Sequence, residues 1–392
     1  MTETNLEALL ATKEVVVFCG SGGVGKTTVA AAAALGAAVR SGSKVLVLTI
    51  DPARRLANAL GLDGFGNVER RVPDELLRAA GIDARGELYA AMLDTKASWD
   101  DLVLRHAPNE ETAYRILENR LYLNITRRFV QSHDYIAMER LYDLHTTGAY
   151  DLIVIDTPPT RNAIDFLEAP QRMAEFFGGR LLRWLTMPYR VGGRRGARFV
   201  NFASRPFYQM ADRILGSQFL QDIAEFFLNF ETMYGGFVER AQAVERLLHD
   251  RRTSFVVVTT LEGAPLREAE FFCDELTVRK FHLGALVLNR VLPAGLRSPD
   301  ARAAANAILS DPSAVAAKVG RIDGLEDADA VARVLRSAAT TYLDYSVVAT
   351  RERELRDELA RVPDAIALVP AFEDDIHDLE GLAEIGSLLL GS

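Results

Sequence analysis

Residues 20–28 read Gly-Ser-Gly-Gly-Val-Gly-Lys-Thr-Thr and directly follow the apolar run Val-Val-Val-Phe-Cys. This is a complete G-x-x-x-x-G-K-[ST] motif, with a buried strand predicted before it and an alanine-rich helix predicted over 27–40. The glycines let successive backbone N–H groups converge on phosphate oxygens, and the helix start adds partial positive charge. A glycine turn without a ligand is the ordinary alternative, which a lysine and a threonine in register disfavour. The motif therefore predicts a nucleoside triphosphate site.

Each polar residue of the loop has an expected role. Lys26 is predicted to reach the β- and γ-phosphates and to act in catalysis, while the Thr27 hydroxyl is predicted to hold Mg²⁺. The predicted nucleotide contacts of the loop are Gly20, Ser21, Gly22, Gly23, Val24, Gly25, Lys26, Thr27 and Thr28.

Further apolar runs, separated by helical patterns, predict parallel strands buried between layers of helices. They lie at 44–50, 88–93, 151–156, 254–259, 283–289 and 365–369. The order predicts an α/β fold with a doubly wound, mostly parallel P-loop sheet, whose ligands bind at the carboxyl ends of the strands. Strand signals stop between 95 and 250 apart from 151–156, which predicts an inserted helical subdomain. We assign 1–94, 150–160 and 251–392 to the ATPase core, and 95–149 and 161–250 to the helical subdomain.

Two acidic residues end predicted strands. Asp51 precedes Pro-Ala-Arg-Arg, and Asp156 ends Leu-Ile-Val-Ile-Asp and precedes Thr-Pro-Pro-Thr. A carboxylate at such a position holds the magnesium shell directly or through water. Asp51 is the better candidate to orient or deprotonate the attacking water. The ordinary alternative for each residue is a helix N-cap. The predicted metal residues are Thr27, Asp51 and Asp156.

Composition limits the classes of partner and compartment. The chain has 392 residues, is 49% hydrophobic and 25% charged, and carries a formal net charge of −9. This charge argues against general nucleic-acid binding. The two cysteines are far apart in sequence and predict neither a disulfide framework nor a metal quartet. The N-terminus lacks the basic start of a signal peptide, so we expect a cytoplasmic protein, with peripheral membrane association open.

The loop, Asp51-Pro-Ala, Asp156-Thr-Pro-Pro-Thr and Val287-Leu-Asn289 together resemble one family. It is the arsenical-pump and tail-anchored-protein-targeting ATPases, the ArsA-like branch of the deviant Walker-A class. The resemblance implies that Asp51 belongs to switch I and that Asp156 heads switch II. It also implies that Asn289 reads the adenine edge, helped by the segment that contains Pro370 and Phe372. Family members work as nucleotide-gated dimers.

Several positions depart from the family pattern. The family loop normally reads G-K-G-G-V-G-K-T, and its first lysine crosses the dimer interface to the other subunit's phosphates. Here that position is Ser21, which predicts either weak hydrolysis or a related partner chain that supplies the lysine. Arg54 replaces the switch I histidine, and Arg161-Asn162 replace the usual Gly-His. The zinc-binding C-x-x-C is absent, so no zinc is predicted, and two cysteines disfavour a metalloid pump.

The helical insert contains two further patterns. Residues 176–211 carry seven arginines and no acidic residue, with aromatic residues interleaved. This composition suits an anionic membrane surface or an apolar client, and a solvated lid is the alternative. Next comes an aromatic stripe, which predicts either a client surface or, more simply, the core of a helix bundle. Its members are Phe219, Ile223, Phe226, Phe227, Phe230, Tyr234 and Phe237.

The sequence as a whole predicts an Mg²⁺-dependent, dimeric ATPase that couples its nucleotide state to a client or membrane-associated partner. The dimer is either a homodimer or, preferably, a heterodimer with a homologous chain that carries the signature lysine. Two alternatives stay open: a regulatory switch of the partition and septum-site class, and a scaffold subunit that binds ATP with low turnover. The acidic C-terminal segment 373–380 disfavours the first alternative, and Ser21 supports the second.

Overall fold

The computed structural model contains one sheet, built from strands that match the apolar runs of the sequence. The strands are β1 (Val15–Gly20), β2 (Lys44–Thr49), β3 (Arg70–Arg71), β4 (Glu87–Met92), β5 (Leu152–Asp156), β6 (Thr253–Thr259), β7 (Leu283–Val291) and β8 (Ala365–Pro370). The structure describes residues 5–50, 55–62, 66–128, 130–159, 164, 167–169, 171, 172, 175, 217–319, 327–359 and 365–391.

The strand order across the sheet is β3-β4-β2-β5-β1-β6-β7-β8. Only the short edge strand β3 pairs antiparallel, with β4, and the other pairs in this described sheet are parallel. The predicted doubly wound, mostly parallel α/β fold is thus confirmed. Because β1 lies between β5 and β6, the loop that follows β1 starts near the middle of the row formed by the carboxyl ends of the parallel strands.

Helices cover both faces of the sheet. In chain order they are α1 (Leu6–Thr12), α2 (Lys26–Ser41), α3 (Arg55–Ala59), α4 (Asp74–Ala79), α5 (Thr95–His106), α6 (Glu110–Glu118), α7 (Arg120–Arg128), α8 (Val130–Thr146), α9 (Ser217–His249), α10 (Gly263–Val278), α11 (Pro299–Ser310), α12 (Pro312–Val319), α13 (Ala328–Leu359) and α14 (Leu379–Leu390). A 3₁₀ turn at Ala294–Arg297 precedes α11.

Strand β1 shows how its side chains build two cores. All six of its residues are buried. Val15, Val17 and Cys19 join a core that includes α5–α10, whereas Val16 and Phe18 join the opposite core with α1, α2 and α14. This alternation follows from the two-residue period of a strand. The helical insert α5–α9 therefore shares one continuous core with the sheet.

Small residues bring α2 and α14 close together on the second face. A Cβ atom added at Gly386 of α14 would lie 2.8 Å from the carbonyl oxygen of Ala32, and one added at Gly36 would lie 2.7 Å from a methyl carbon of Leu390. The alanine-rich sequence of α2 thus allows α2 to pack closely against the sheet and against α14. This packing holds the start of α2 against the sheet.

The aromatic stripe of α9 packs inside the helical insert where its side chains are described. Phe226, Phe230 and Phe237 are each 2% exposed, and the ring centroids of Phe230 and Phe237 are 4.9 Å apart. Phe227 is also buried. These four residues are bundle core rather than a client surface, while the side chains of Phe219, Ile223 and Tyr234 lie outside the described residues. No helix in the described ranges is long and apolar enough to cross a membrane.

Candidate nucleotide-binding site

The glycine-rich loop connects the end of β1 to the first turn of α2. A Cβ atom at Gly20 would lie 2.3 Å from the carbonyl oxygen of Val258, so β1 and β6 approach too closely for any larger residue. Gly25 has a φ of 85° and caps α2 without a side-chain hydrogen bond. The backbone N–H groups at the start of α2 are therefore directed into the loop, where a phosphate can accept their hydrogen bonds.

Asp156 joins three of the central elements at this edge. The Thr27 hydroxyl donates to Oδ2 of Asp156 at 2.7 Å, and the Thr49 hydroxyl donates to the same oxygen at 3.0 Å. Asp156 is only 1% exposed. The first turn of α2 and the ends of β2 and β5 thus bring one carboxylate and two hydroxyls together. Such oxygen donors suit Mg²⁺, which commonly takes one or two carboxylates together with substrate phosphates.

Lys26 is the first residue of α2 and is 8% exposed. Burial raises the pKa of the Cys19 thiol on β1 to about 12. The positive charge of Lys26 acts to lower that pKa. Cys19 is therefore a protonated core thiol, and Lys26 provides positive charge beside the loop.

The predicted adenine residues lie on β7, at the end of β8 and two residues beyond β8. Asn289 is 8% exposed, and its Nδ2 donates to the carbonyl oxygen of Val24 in the loop at 2.7 Å. Pro370 is paired with Val291, two residues after Asn289, and Phe372 packs against the second core. The structure thus brings Asn289 into contact with the loop and Pro370 to the neighbouring strand, while the adenine contacts stay predictions.

Other predicted site residues lie outside the described part of the chain. These are Asp51, the predicted water-orienting carboxylate, together with Arg54, Arg161 and Asn162. The arginine-rich segment 176–211 also lies outside it.

Thr49 is a site residue that the sequence analysis missed. Its hydroxyl binds the same carboxylate oxygen as Thr27, although it stands two residues before Asp51 at the end of β2. A polar residue at the end of an otherwise apolar strand was the available signal. Thr157 was also missed as a structural residue: it is fully buried, and its hydroxyl donates to the carbonyl oxygen of Phe18 at 2.8 Å.

The family model described as "Anion-transporting ATPase" matches residues 13–307. The chain belongs to this family. The match includes the loop, Asp156 and Asn289 and ends within α11, so α12, α13, β8 and α14 lie beyond it.

Three similar proteins span much of the chain. ATPase BagA of Mycobacterium tuberculosis is 23% identical over 383 residues, which cover 94% of this chain and 90% of BagA. An uncharacterized protein of Streptomyces coelicolor is 30% identical over 282 residues, 71% of this chain and 62% of that protein. ATPase ASNA1 homolog 2 of Paramecium tetraurelia is 25% identical over 280 residues, 70% of this chain and 74% of the homolog.

Ser21 is a position that departs from the expected loop sequence and that the structure describes. The residue is 8% exposed, and its hydroxyl oxygen has no hydrogen-bond partner among the described residues. The hydroxyl of Thr260, just beyond the end of the neighbouring strand β6, is likewise buried without a described partner. Two uncharged hydroxyls without a partner among the described residues therefore lie just beyond adjacent strand ends, and Ser21 is the position at which the resemblance predicts a lysine.

Proposed function

We propose that this chain is an Mg²⁺-dependent ATPase that hydrolyses ATP to ADP and phosphate. The observation that carries the proposal is the contact of Thr27 with Asp156 at the carboxyl ends of the central strands. In P-loop ATPases the corresponding threonine and carboxylate hold the metal that bridges the β- and γ-phosphates. The family membership and the names of the relatives support the same activity.

Each loop residue contributes binding or electrostatic stabilisation, because phosphoryl transfer needs positioning more than covalent chemistry. Backbone N–H groups of the loop and the Lys26 ammonium bind the phosphate oxygens. Thr27 and Asp156 would hold Mg²⁺, which would supply positive charge to the phosphate oxygens. Asp51 is proposed to orient the attacking water. Asn289, Pro370 and Phe372 stay our predicted adenine contacts.

We also propose that the working form is a dimer, preferably with a homologous chain that carries a lysine where this chain has Ser21. The uncharged Ser21 supports this proposal, since it leaves the loop without the positive charge that a lysine at this position would supply. We propose that segment 176–211 is the surface for a hydrophobic client or an anionic membrane. We also propose that the protein is cytoplasmic.

The test is phosphate release from ATP by the purified chain, with Mg²⁺ and with chelator. We expect slow, Mg²⁺-dependent turnover that Ser21→Lys increases. The analogy is with arginine fingers, whose positive charge increases the rate of phosphoryl transfer by about 10³ to 10⁵. Ser310→Lys, which adds the same charge at the exposed end of α11, is the matched control and should change nothing. Turnover that persists in Lys26→Ala would refute the assignment of the loop.

The Ser21 hydroxyl also favours a second candidate, an ATP-binding subunit with low turnover of its own. In this case ATP binds with ordinary affinity, but neither Ser21→Lys nor a lysine-bearing homologous chain increases phosphate release. Calorimetric binding measured beside the turnover assay therefore separates the two functions.

A further inference from the structure

The strand β7 contacts the glycine-rich loop through one side chain. The Asn289 amide is fixed at both of its polar atoms: Nδ2 donates to the Val24 carbonyl at 2.7 Å, and Oδ1 accepts from the Arg290 N–H at 2.9 Å. The two contacts require opposite ends of the amide, so they define a single orientation of the group. With only 8% exposure, this side chain is built into the wall of the loop.

The contact occupies the space that a larger residue at the loop would need. A Cβ atom at Gly25 would lie 2.3 Å from Nδ2 of Asn289, and Gly25 already has a φ of 85°. The amide therefore packs directly on the backbone of Gly25, and the loop and Asn289 must move together.

The hydrogen bond to Val24 also fixes a donor on the other side of the same peptide. A trans peptide unit is planar, and its C=O and N–H point in opposite directions. When the Val24 carbonyl points at Asn289, the N–H of Gly25 must point away from Asn289. Gly25 directly precedes Lys26, and its N–H is one of the groups that the loop motif offers to phosphate.

The outer part of β7 is itself held by neighbouring elements. Arg290 has a φ of 57°, a left-handed conformation that is costly for arginine and needs support from its surroundings. The Leu292 N–H donates to Glu352 of α13 at 3.1 Å, and the Ala371 N–H donates to the Val291 carbonyl at 3.0 Å. Asn289 is thus supported by α13 and by the residue after β8.

We propose that Asn289 is a positioning residue, which holds the Val24–Gly25 peptide in the orientation that binds phosphate. This inference rests on the proposed nucleotide site. It goes beyond the adenine contact, because it assigns Asn289 an effect on every ligand with a triphosphate, whether or not a base is attached. Loss of the amide leaves the Val24 carbonyl buried without a donor and releases the peptide.

The test compares the binding of Mg²⁺ complexes of ATP, GTP and inorganic tripolyphosphate by calorimetry. The variants are Asn289→Ala and Asn289→Asp, and Asn306→Ala on the exposed side of α11 is the matched control. We expect Asn289→Ala to lose about 5- to 100-fold in tripolyphosphate affinity, the fold-change that matches a buried acceptor left unpaired. Asn289→Asp should lose more, because its carboxylate cannot donate to the Val24 carbonyl and is repelled by that oxygen.

Tripolyphosphate decides between the outcomes. Unchanged tripolyphosphate binding in both Asn289 variants overturns the proposal, and a loss limited to ATP would assign the residue to adenine alone. The unfolding midpoint without ligand is measured in parallel, since a purely structural role lowers this midpoint without changing the tripolyphosphate affinity of the folded protein. A wild-type chain that binds none of the three ligands would instead refute the proposed function.

Discussion

A buried ion pair between α8 and α9 allows a quantitative prediction about the helical insert. Nε of Arg240 lies 2.9 Å and 3.2 Å from the two carboxylate oxygens of Glu139, and the Tyr135 hydroxyl donates to the same carboxylate. The side chain of Glu139 is 2% exposed and that of Arg240 13%. Burial raises the pKa of Glu139, although Arg240 acts to lower it.

We predict that Glu139→Leu lowers the free energy of unfolding by about 3 kcal/mol. Breaking a buried pair by removing one partner typically costs 3–5 kcal/mol, because the other charge stays buried without compensation. The lower end applies since Arg240 keeps some solvent contact. The double variant Glu139→Leu/Arg240→Leu should be more stable than the single variant, because it leaves no unpaired charge.

Urea unfolding followed by tryptophan fluorescence measures this effect. Trp99 is 2% exposed and lies against Tyr135, with ring centroids 5.8 Å apart, so its emission reports on this cluster. The control is Glu111→Gln at an exposed pair with Arg115, which should cost less than about 1 kcal/mol. If Glu139→Leu lowers the free energy of unfolding by no more than this control does, the inference that Glu139 and Arg240 form a buried pair and compensate each other's charge is refuted.

Three further predictions concern the site, the packing and the pH response. Lys26→Ala should abolish ATP binding, whereas Asp51→Asn should preserve it and reduce turnover by roughly 10² to 10⁴; normal calorimetric affinity in Lys26→Ala would contradict the phosphate contact. Gly386→Ala should cost about 1–3 kcal/mol in urea unfolding because its Cβ meets a carbonyl oxygen of α2, while Gly295→Ala meets no atom within 4 Å and serves as control. Burial and neighbouring arginines lower the pKa of His106, so the folded state binds protons less readily than the unfolded state. Stability should therefore fall as pH drops below about 6.5, and His106→Gln should reduce this slope in unfolding midpoints measured from pH 7 to 5.

The central sheet could be predicted from the sequence because its strands are continuous apolar runs. The run at 44–50 corresponds to β2 at Lys44–Thr49, and the run at 365–369 to β8 at Ala365–Pro370. The edge strand β3 was not predicted, since two exposed arginines carry no hydrophobic period. The antiparallel pairing of these residues with β4 depends on tertiary contact rather than on local pattern.

The candidate site was predictable in its residue types but not in its contacts. The motif located Lys26 and Thr27, and the strand end located Asp156. The hydrogen bond from Asn289 to Val24 joins residues 265 positions apart, and no local spacing encodes it. Likewise the sequence could not show that the Ser21 hydroxyl is buried, because exposure at the first loop position depends on how closely β1 and β6 approach.

Ser21, directly after β1, is the residue from which we propose a lysine-bearing partner chain. A buried polar group without a hydrogen bond costs about 1–3 kcal/mol, and the hydroxyls of Ser21 and Thr260 have no hydrogen-bond partner within the described part of the chain. A second copy of this chain would bring another serine at that position and no charge. A homologous chain with a lysine there would instead bring the positive charge that the γ-phosphate needs in the transition state. We therefore expect a lysine-bearing homologous subunit to increase hydrolysis above that of the isolated chain.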